Sequence, residues 1–247
     1  MLGFVFKKMF WCNYDFLMPN ILLSLVWFGL NLPVFGFLYL LVGSHVYLIW
    51  PYVVALNFLW LSPLTAGLFH VTLPMVNSES ATAKVRMFFS GIRIHGWKSL
   101  ALFSLSTLFL LLLVRVFLFY VRDAASWPLF LRLIIAGIVL WTGVYFLLMQ
   151  ANFYPVMVKQ NENIWKILYK SFLLVLDRPG SQVLFLVVVA GFFVIMAFSV
   201  LGFILFFPAF FALSSNIRTM VQLSRHNPGI TVEPETRTFK HLLRPWE

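Results

Sequence analysis

The sequence predicts an all-α, polytopic membrane protein of about six transmembrane helices, with amphipathic interfacial helices on the cytoplasmic side. Three observations support this fold class: 62% of the 247 residues are hydrophobic, only 11% are charged, and the mean hydropathy is +0.92. A soluble domain has about 25% charged residues, so the composition excludes a soluble enzyme. The lipid bilayer is therefore the first expected partner.

The first charge-free stretch predicts two spans. No Lys, Arg, Asp or Glu occurs between Asp15 and Glu79. This stretch is too long for one span of about 20 residues and fits two. We predict helices over about 17–42 and 47–75, with a break near Gly43.

The rest of the chain predicts three or four further spans. A turn at Asp123 separates two apolar stretches, and a polar segment at 159–180 follows them. The last apolar stretch, between Arg178 and Arg218, fits either one long tilted helix or a hairpin that turns near Ser199. The predicted spans after the second are 99–121, 130–157, 181–198 and 202–217, and a single last helix would give five spans in total.

The basic residues set the predicted orientation. The net charge is +10, and Lys and Arg are concentrated at the N-terminus and in segments 77–98 and 159–180. The positive-inside rule places these parts in the cytoplasm, and the same pattern favours anionic lipid over nucleic acid as the reason for the charge. A cytoplasmic C-terminus requires six spans, whereas five would place it outside, and we favour six. We divide the chain into a transmembrane domain, 1–221, and a polar tail, 222–247.

Three segments that follow predicted spans repeat one pattern. Each places apolar or small residues at i, i+3, i+4 and i+7, which is one face of a helix. We interpret them as amphipathic helices on the cytoplasmic surface, each completing a membrane hairpin. The alternative is that they are ordinary helix ends near a membrane. The residues are Val85, Phe88, Phe89 and Ile92; Ile164, Ile167, Leu168 and Ser171; and Ile217, Met220, Val221 and Ser224.

Four short stretches are similar to a known family. They are the segment from Asn20 to Trp27, Leu32-Pro33-Val34, the segment from Pro63 to Val71, and Phe88-Phe89-Ser-Gly-Ile92-Arg93. In this order they resemble the YesL-like bacterial membrane proteins, a family of unknown function. Residues 35–62 stand as an insertion relative to that family, and the tail is longer. The resemblance implies a multi-pass protein of the bacterial inner (cytoplasmic) membrane, often encoded near carbohydrate importers, and supplies no catalytic or ligand residues.

The acidic residues argue against membrane-embedded catalysis. All eight Asp and Glu residues fall outside the predicted spans, whereas ionisable groups inside the bilayer are the usual indicators of function. The motifs of zinc proteases, serine hydrolases and nucleotide-binding loops do not occur. The single cysteine excludes a disulfide framework. We therefore expect no enzymatic activity, no metal and no cofactor.

Polar residues within the predicted spans have two interpretations. Buried amides hydrogen-bond between helices, and the same groups could line a path for a solute. Arg115 could reach the membrane surface with its long side chain, pair with a polar group or bind a lipid phosphate. The set is Asn20, Asn31, Asn57, His70, Arg115, Gln150 and Asn152.

Basic and aromatic residues in the cytoplasmic segments form a candidate interface with lipid or a partner. The sequence therefore favours a non-enzymatic accessory or structural subunit of a bacterial membrane complex, with other membrane subunits as partners, and the resemblance implies that the complex is transporter-associated. The alternative is a small-solute transporter or channel that uses the buried Asn and Gln residues and Arg115. The interface residues are Lys84, Arg86, Phe88, Phe89, Arg93, Lys166 and Lys170.

Overall fold

The computed structural model of the protein describes residues 2–43, 50–77, 85–123, 127–227 and 229–237, without the side chains of 34–43 and 50–60. These residues form helices joined by short turns, which confirms the all-α prediction. A 3₁₀ turn at Pro74–Asn77 follows the third helix, and a π turn at Phe119–Asp123 ends the fourth. The helices are α1 (Leu2–Asp15), α2 (Leu17–Gly43), α3 (Trp50–Thr72), α4 (Val85–Leu118), α5 (Leu129–Gln160), α6 (Ile164–Asp177), α7 (Pro179–Phe198) and α8 (Val200–His226).

Four of the described helices are long and apolar enough to cross a membrane. They are α4 with its π turn, α5, α7 and α8. A fifth candidate is the pair formed by α1 and the first part of α2, which meet at an angle of 80°. The predicted span 47–75 lies partly outside the described residues, so the count of six remains a prediction.

Two helix boundaries coincide with local hydrogen bonds that can begin or end a helix. At Ser199 the Oγ atom accepts a hydrogen bond from the Gly202 backbone N–H at 3.2 Å, which caps the start of α8. The last apolar stretch is therefore two helices and not one long helix. At the end of α5, Asn161 adopts a left-handed conformation with φ 48°, and its N–H donates to the Met157 carbonyl, a common way to end a helix.

The three predicted amphipathic segments take three different forms. Residues 85–92 run without a break into the predicted span 99–121, because α4 contains no proline that would interrupt it. Residues 217–224 continue α8 and are mostly buried in the core. Residues 164–171 begin the separate amphipathic helix α6, which buries Ile167 and exposes Trp165. The repeat therefore does not correspond to three equivalent hairpins.

Helix α8 is the centre of the bundle. Every residue from Ala212 to Leu223 is buried, and α8 packs against α1, α2, α3, α5 and α7. The outer helices instead expose large apolar side chains, as expected for surfaces that face lipid. Examples are Leu108 and Leu111 on α4, Ile138 and Trp141 on α5, and Val187 and Ile195 on α7.

The described part of the C-terminal tail packs against the start of the chain. Helix α8 continues beyond residue 221 to His226, and segment 229–237 then returns to α1. The Arg237 guanidinium donates to both carboxylate oxygens of Asp15 at 2.8 and 2.7 Å and lies over the Trp11 ring at 4.5 Å. Lys8 donates to the carbonyl of Glu233. These contacts hold the two ends of the chain together.

Candidate functional site

The buried half of α8 carries an unusual number of polar side chains. Each is directed to a different neighbour: Ser215 donates to the Ala151 carbonyl on α5 at 2.8 Å, and Asn216 donates to Thr72 on α3 at 2.9 Å. Between α5, α7 and α8 the polar groups form a set that we call the polar layer. It consists of Asn152, Gln182, Arg218, Thr219 and Gln222, all buried.

Arg218 is the cation at the centre of the polar layer. Its side chain is only 3% exposed, and Nη2 donates to Asn152 Oδ1 at 2.7 Å. The guanidinium carbon lies 4.1 Å from the centre of the Phe185 ring. Nε and Nη1 have no hydrogen-bond partner, and no carboxylate among the described residues forms an ion pair with Arg218. A buried charge without a counter-ion is costly, by several kcal/mol.

A pair of glutamines joins α7 to α8 beside Arg218. Gln182 Nε2 on α7 donates to Gln222 Oε1 on α8 at 3.2 Å, and it also donates to the Leu174 carbonyl on α6 at 3.5 Å. Gln222 and Arg218 share a face of α8, because residues four apart lie above one another. The Gln182 Oε1 atom and, outside the layer, the Ser171 hydroxyl on α6 are buried without a partner among the described residues. The layer therefore holds unsatisfied polar atoms on both Arg218 and Gln182.

One side of the polar layer borders the cavity that we call the leucine cavity. Its volume is about 700 Å³. Leu174, whose carbonyl accepts from Gln182, and Leu223, next to Gln222 in sequence, both line it, so the buried glutamine pair adjoins two of its lining residues. Three titratable residues, Lys170, Asp177 and His226, line it as well. The remaining lining residues are Gln160, Leu173, Leu176 and Asn227.

A second cavity, the aromatic cavity, lies further along α5 and α8 and has a volume of about 410 Å³; Ala151 and Phe153, on either side of Asn152 in sequence, line it. None of its lining residues in the described part of the chain is charged. Trp27 Nε1 is buried without a partner, and the Gln150 amide makes no hydrogen bond within the described part of the chain. Ser62 shares a hydrogen bond of 2.9 Å with the Tyr154 hydroxyl. Its remaining lining residues are Leu61, Thr65, Phe69, Leu102, Phe103, Ser106, Leu147, Ala151, Phe153, Leu186 and Phe211.

The two cavities and the polar layer follow one another along the same helices. On α8, Phe211 lines the aromatic cavity, Arg218 lies in the polar layer, and Leu223 lines the leucine cavity. At 1.5 Å per residue the distance from Phe211 to Leu223 is about 18 Å. Volumes of this size and mostly apolar walls with a few polar groups are typical of small-molecule sites.

The structure separates the polar residues that the sequence singled out. Asn152 belongs to the polar layer, and Gln150 lines the aromatic cavity. Asn20 donates to Asn13 on α1 at 3.2 Å, which joins α2 to α1, whereas Asn31 donates to the Trp27 carbonyl of its own helix at 2.7 Å. The Asn57 side chain lies outside the described residues.

Arg115, the charged candidate in the third predicted span, does not belong to the polar layer. Arg115 is exposed on the outer surface of α4, far along that helix from the residues that line the aromatic cavity. An exposed position agrees with a side chain that reaches the membrane surface. The arginine in the core of the bundle is Arg218.

His70 and His95 form a second pair of neighbouring polar residues. His95 lies in α4, is 2% exposed, and has its ring centre 5.2 Å from that of His70 on α3. The Nδ1 atoms of both rings are buried and have no partner in the described part of the chain. Within the described residues no group of three His, Cys, Asp or Glu side chains could hold a metal ion, and two imidazoles alone fall short of a protein zinc site.

The predicted interface residues divide into a buried and an exposed set. Phe88 is fully buried in the core, so it cannot contribute to a surface. Arg86, Phe89, Arg93 and Lys166 are exposed. Two further residues of the prediction are Lys170, which pairs with Glu162 at 2.8 Å, and Lys84, which lies outside the described residues.

Sequence reasoning missed Arg218 because it took this charge as the end of a span. The signal that could have identified it is the continued helical pattern beyond it. Ser215, Thr219 and Gln222 share its side of a helix with no charge of opposite sign, which indicates burial and not a solvated end.

Comparison of the chain with models of protein families, with curated proteins and with solved structures finds no match.

Proposed function

We propose that this multi-pass membrane protein is a small-solute transporter or channel whose path follows α5 and α8. The observation that carries the proposal is the succession of the leucine cavity, the polar layer and the aromatic cavity along these helices. A protein that only fills space between other subunits has no need of two cavities beside a buried cation. The sequence alone favoured an accessory subunit, because it did not reveal Arg218 as a core residue.

The proposal includes a location and a topology. A bacterial inner membrane, six spans and a cytoplasmic N-terminus follow from the apolar stretches, the distribution of Lys and Arg, and the resemblance to YesL-like proteins. The polar layer would then lie within the membrane and separate the cavities on its two sides. No covalent chemistry is required for this function.

Cysteine labelling tests whether both cavities contain water. The chain has one cysteine, Cys12, which is buried, and a Cys12→Ala background removes it. New cysteines are placed in the leucine cavity (Leu173→Cys), in the aromatic cavity (Thr65→Cys) and on the lipid-facing surface of α4 (Leu111→Cys). The readout is the rate of reaction with a charged, membrane-impermeant thiol reagent in proteoliposomes.

We expect both cavity cysteines to react and Leu111→Cys to remain unmodified, because a charged reagent does not enter the hydrocarbon region. If Thr65→Cys is as unreactive as Leu111→Cys, the aromatic cavity is closed to water and the proposed path is wrong. Leu111→Cys is measured with the same reagent, in the same Cys12→Ala background and in the same membrane. Any difference in reaction rate is therefore due to the position of the thiol.

An accessory subunit of a membrane complex is the second candidate, and one surface favours it. Trp97 on α4 is 80% exposed and Trp165 on α6 is 75% exposed, and both lie near exposed Arg and Lys residues. Tryptophan and arginine are enriched in protein interfaces. This surface, which we call the aromatic–basic surface, could pack against another membrane protein.

Mild extraction and native mass measurement test the second candidate. A complex of larger mass that is lost in the Trp97→Ala/Trp165→Ala variant supports it. Trp141→Ala is the matched control, because Trp141 is similarly exposed but lies on the outer surface of α5. A lone monomer of the unaltered protein contradicts the accessory function.

A further inference from the structure

We infer that Arg218 binds an oxyanion, a phosphate- or carboxylate-type group, within the polar layer. The inference rests on the proposed transport function and names the class of its ligand. It starts from the buried cation between α5, α7 and α8 and from the donors that this cation leaves unused within the described part of the chain.

The electrostatic argument concerns the missing counter-charge. A guanidinium is charged at neutral pH, and Arg218 has 3% of its surface exposed. Its neighbours are neutral: the amide oxygen of Asn152 and the face of Phe185. A buried charge needs a partner, and the described part of the chain supplies no carboxylate. A bound anion would supply it.

The hydrogen-bond argument concerns unused donors. Arginine has five N–H donors in a planar arrangement that suits carboxylate and phosphate oxygens. Nε and Nη1 carry three of these donors and have no partner. Asn152 Oδ1 accepts from both Arg218 and Thr219, at 2.7 and 3.3 Å, and so fixes the orientation of the guanidinium. The Ser171 hydroxyl is a further buried donor without a partner.

The leucine cavity lies close to this site. The carbonyl of its lining residue Leu174 accepts from Gln182, and its lining residue Leu223 follows Gln222, which is one turn of α8 from Arg218. Lys170 and His226 line the cavity together with one carboxylate, Asp177, and most of its remaining wall is leucine. The oxyanion can therefore belong to a free solute or to the head group of a phospholipid whose acyl chain occupies the leucine cavity. Both sources present the same chemistry to Arg218.

Thermal unfolding of the purified full-length protein tests the inference. The midpoint is measured in neutral detergent over a series of inorganic phosphate concentrations, with potassium chloride at matched ionic strength to separate binding from screening. A ligand that binds only the folded state raises the midpoint by mass action, by about 5 °C near 100 times its dissociation constant. We expect this rise for the unaltered protein and for Arg115→Gln, and no rise for Arg218→Met.

A second variant and a second membrane composition complete the thermal unfolding test. If Arg218→Met does not fold, Arg218→Lys keeps a charge but loses the fork of donors, and its response to phosphate should be at least several-fold weaker. To separate the two sources, the measurement is repeated in bilayer discs of phosphatidylcholine with and without phosphatidylglycerol. A rise with phosphate alone identifies a free anion, and a rise with phosphatidylglycerol identifies a lipid head group.

The inference is wrong if inorganic phosphate, acetate and phosphatidylglycerol all leave the midpoint of the unaltered protein unchanged, or if Arg218→Met responds equally. Failure of the anion-binding inference can be told apart from failure of the proposed transport function. If the Thr65→Cys variant reacts with the thiol reagent but no anion raises the unfolding midpoint, the path contains water and serves another solute. If an anion raises the midpoint but Thr65→Cys does not react, the protein has an anion site without a water-filled path.

Discussion

At the scale of single residues, two glycines determine how closely α3 and α4 approach. A Cβ atom built on Gly91 would lie 2.5 Å from His70 Cβ and 3.0 Å from the Cα atom of Gly67. A Cβ atom on Gly67 would lie 2.8 Å from the carbonyl oxygen of Phe88. Small residues permit this backbone contact in membrane helices, and the contact places His70 beside His95.

We therefore predict that Gly91→Ala destabilises the protein. The added methyl group meets atoms close to the backbone that cannot rotate away, and overpacking of this kind costs about 1–3 kcal/mol. The measurement is the thermal unfolding midpoint in detergent. Gly137→Ala is the control, because nothing lies within 4 Å of that Cβ position and alanine favours helix. An unchanged midpoint for Gly91→Ala would show that the helices can separate without cost.

The roles of individual polar residues were only partly predictable from sequence. Asn152 was identified because an amide in an apolar span needs a partner in the bundle. Asn31 has the same sequence signature, yet it bonds to its own helix. The sequence cannot distinguish them, because a carbonyl of the same helix and a side chain of another satisfy an amide equally well. Arg218 was missed because a charge at a span end and a charge in the core follow similar apolar runs.

At the scale of elements, segment 229–237 depends on one arginine. Arg237 bonds to Glu235 at 2.8 Å and to Asp15, and these hydrogen bonds raise the pKa of Arg237. The hydrogen bond from Arg237 lowers the pKa of Glu235 below its usual value. A carboxylate with a lowered pKa stabilises the folded state above its unfolded pKa, and this contribution disappears as the pH falls through the folded pKa.

We predict that Arg237→Gln lowers the unfolding midpoint at pH 7 and that the difference from the unaltered protein narrows in acid. Exposed ion pairs contribute about 1 kcal/mol or less each, so the effect at pH 7 is modest. The narrowing is expected as the pH falls through the lowered pKa of Glu235, because the protonated carboxyl no longer pairs with Arg237. The comparison is a series of thermal unfolding curves from pH 3 to 7.

Arg93→Gln serves as the control for that series, because Arg93 is exposed and forms no ion pair within the described residues. Its midpoint should follow that of the unaltered protein at every pH. A constant difference between Arg237→Gln and the unaltered protein across the series would show that the cation–π contact with Trp11, and not the carboxylates, holds the segment.

The boundaries of elements were predictable where a local signal marks them. The predicted turn near Ser199 matches the α7–α8 break, and α7 begins at Pro179, since proline suits the first turn of a helix. The continuity of α4 was not predictable in the same way. Arg86, Arg93 and Lys98 suggested a surface helix separate from the span, but charges alone do not interrupt a helix.

At the scale of the whole molecule, several contacts gather one set of helix ends on a single side. Arg237 joins Asp15, so the C-terminal segment lies beside the end of α1. Asn77, after α3, donates to the Thr231 carbonyl at 3.0 Å. Lys98, in the first half of α4, donates to the carbonyl of Asn161, after α5, at 2.8 Å. The first two contacts place the start of α2, the end of α3 and segment 229–237 at the same level, and the third places the end of α5 beside the first half of α4.

These contacts favour an even number of crossings between Asp15 and Arg237, because an odd number would place the two side chains on opposite sides of the membrane. In the proposed topology, six helices would cross it: α2, α3, α4, α5, α7 and α8. The side that carries Arg86, Arg93 and Lys166 would then be cytoplasmic by the positive-inside rule.

We predict that reporters fused after residue 247 and before residue 1 both show a cytoplasmic location, and that a tag inserted between α4 and α5 is accessible from the outside. The measurement uses a paired reporter that is active on only one side of the membrane, with a tag in the α5–α6 turn as the cytoplasmic control. An external C-terminus with a cytoplasmic N-terminus would mean an odd number of crossings. An odd number of crossings would be incompatible with the Asp15–Arg237 pair, and the proposed path along α5 and α8 would then be wrong.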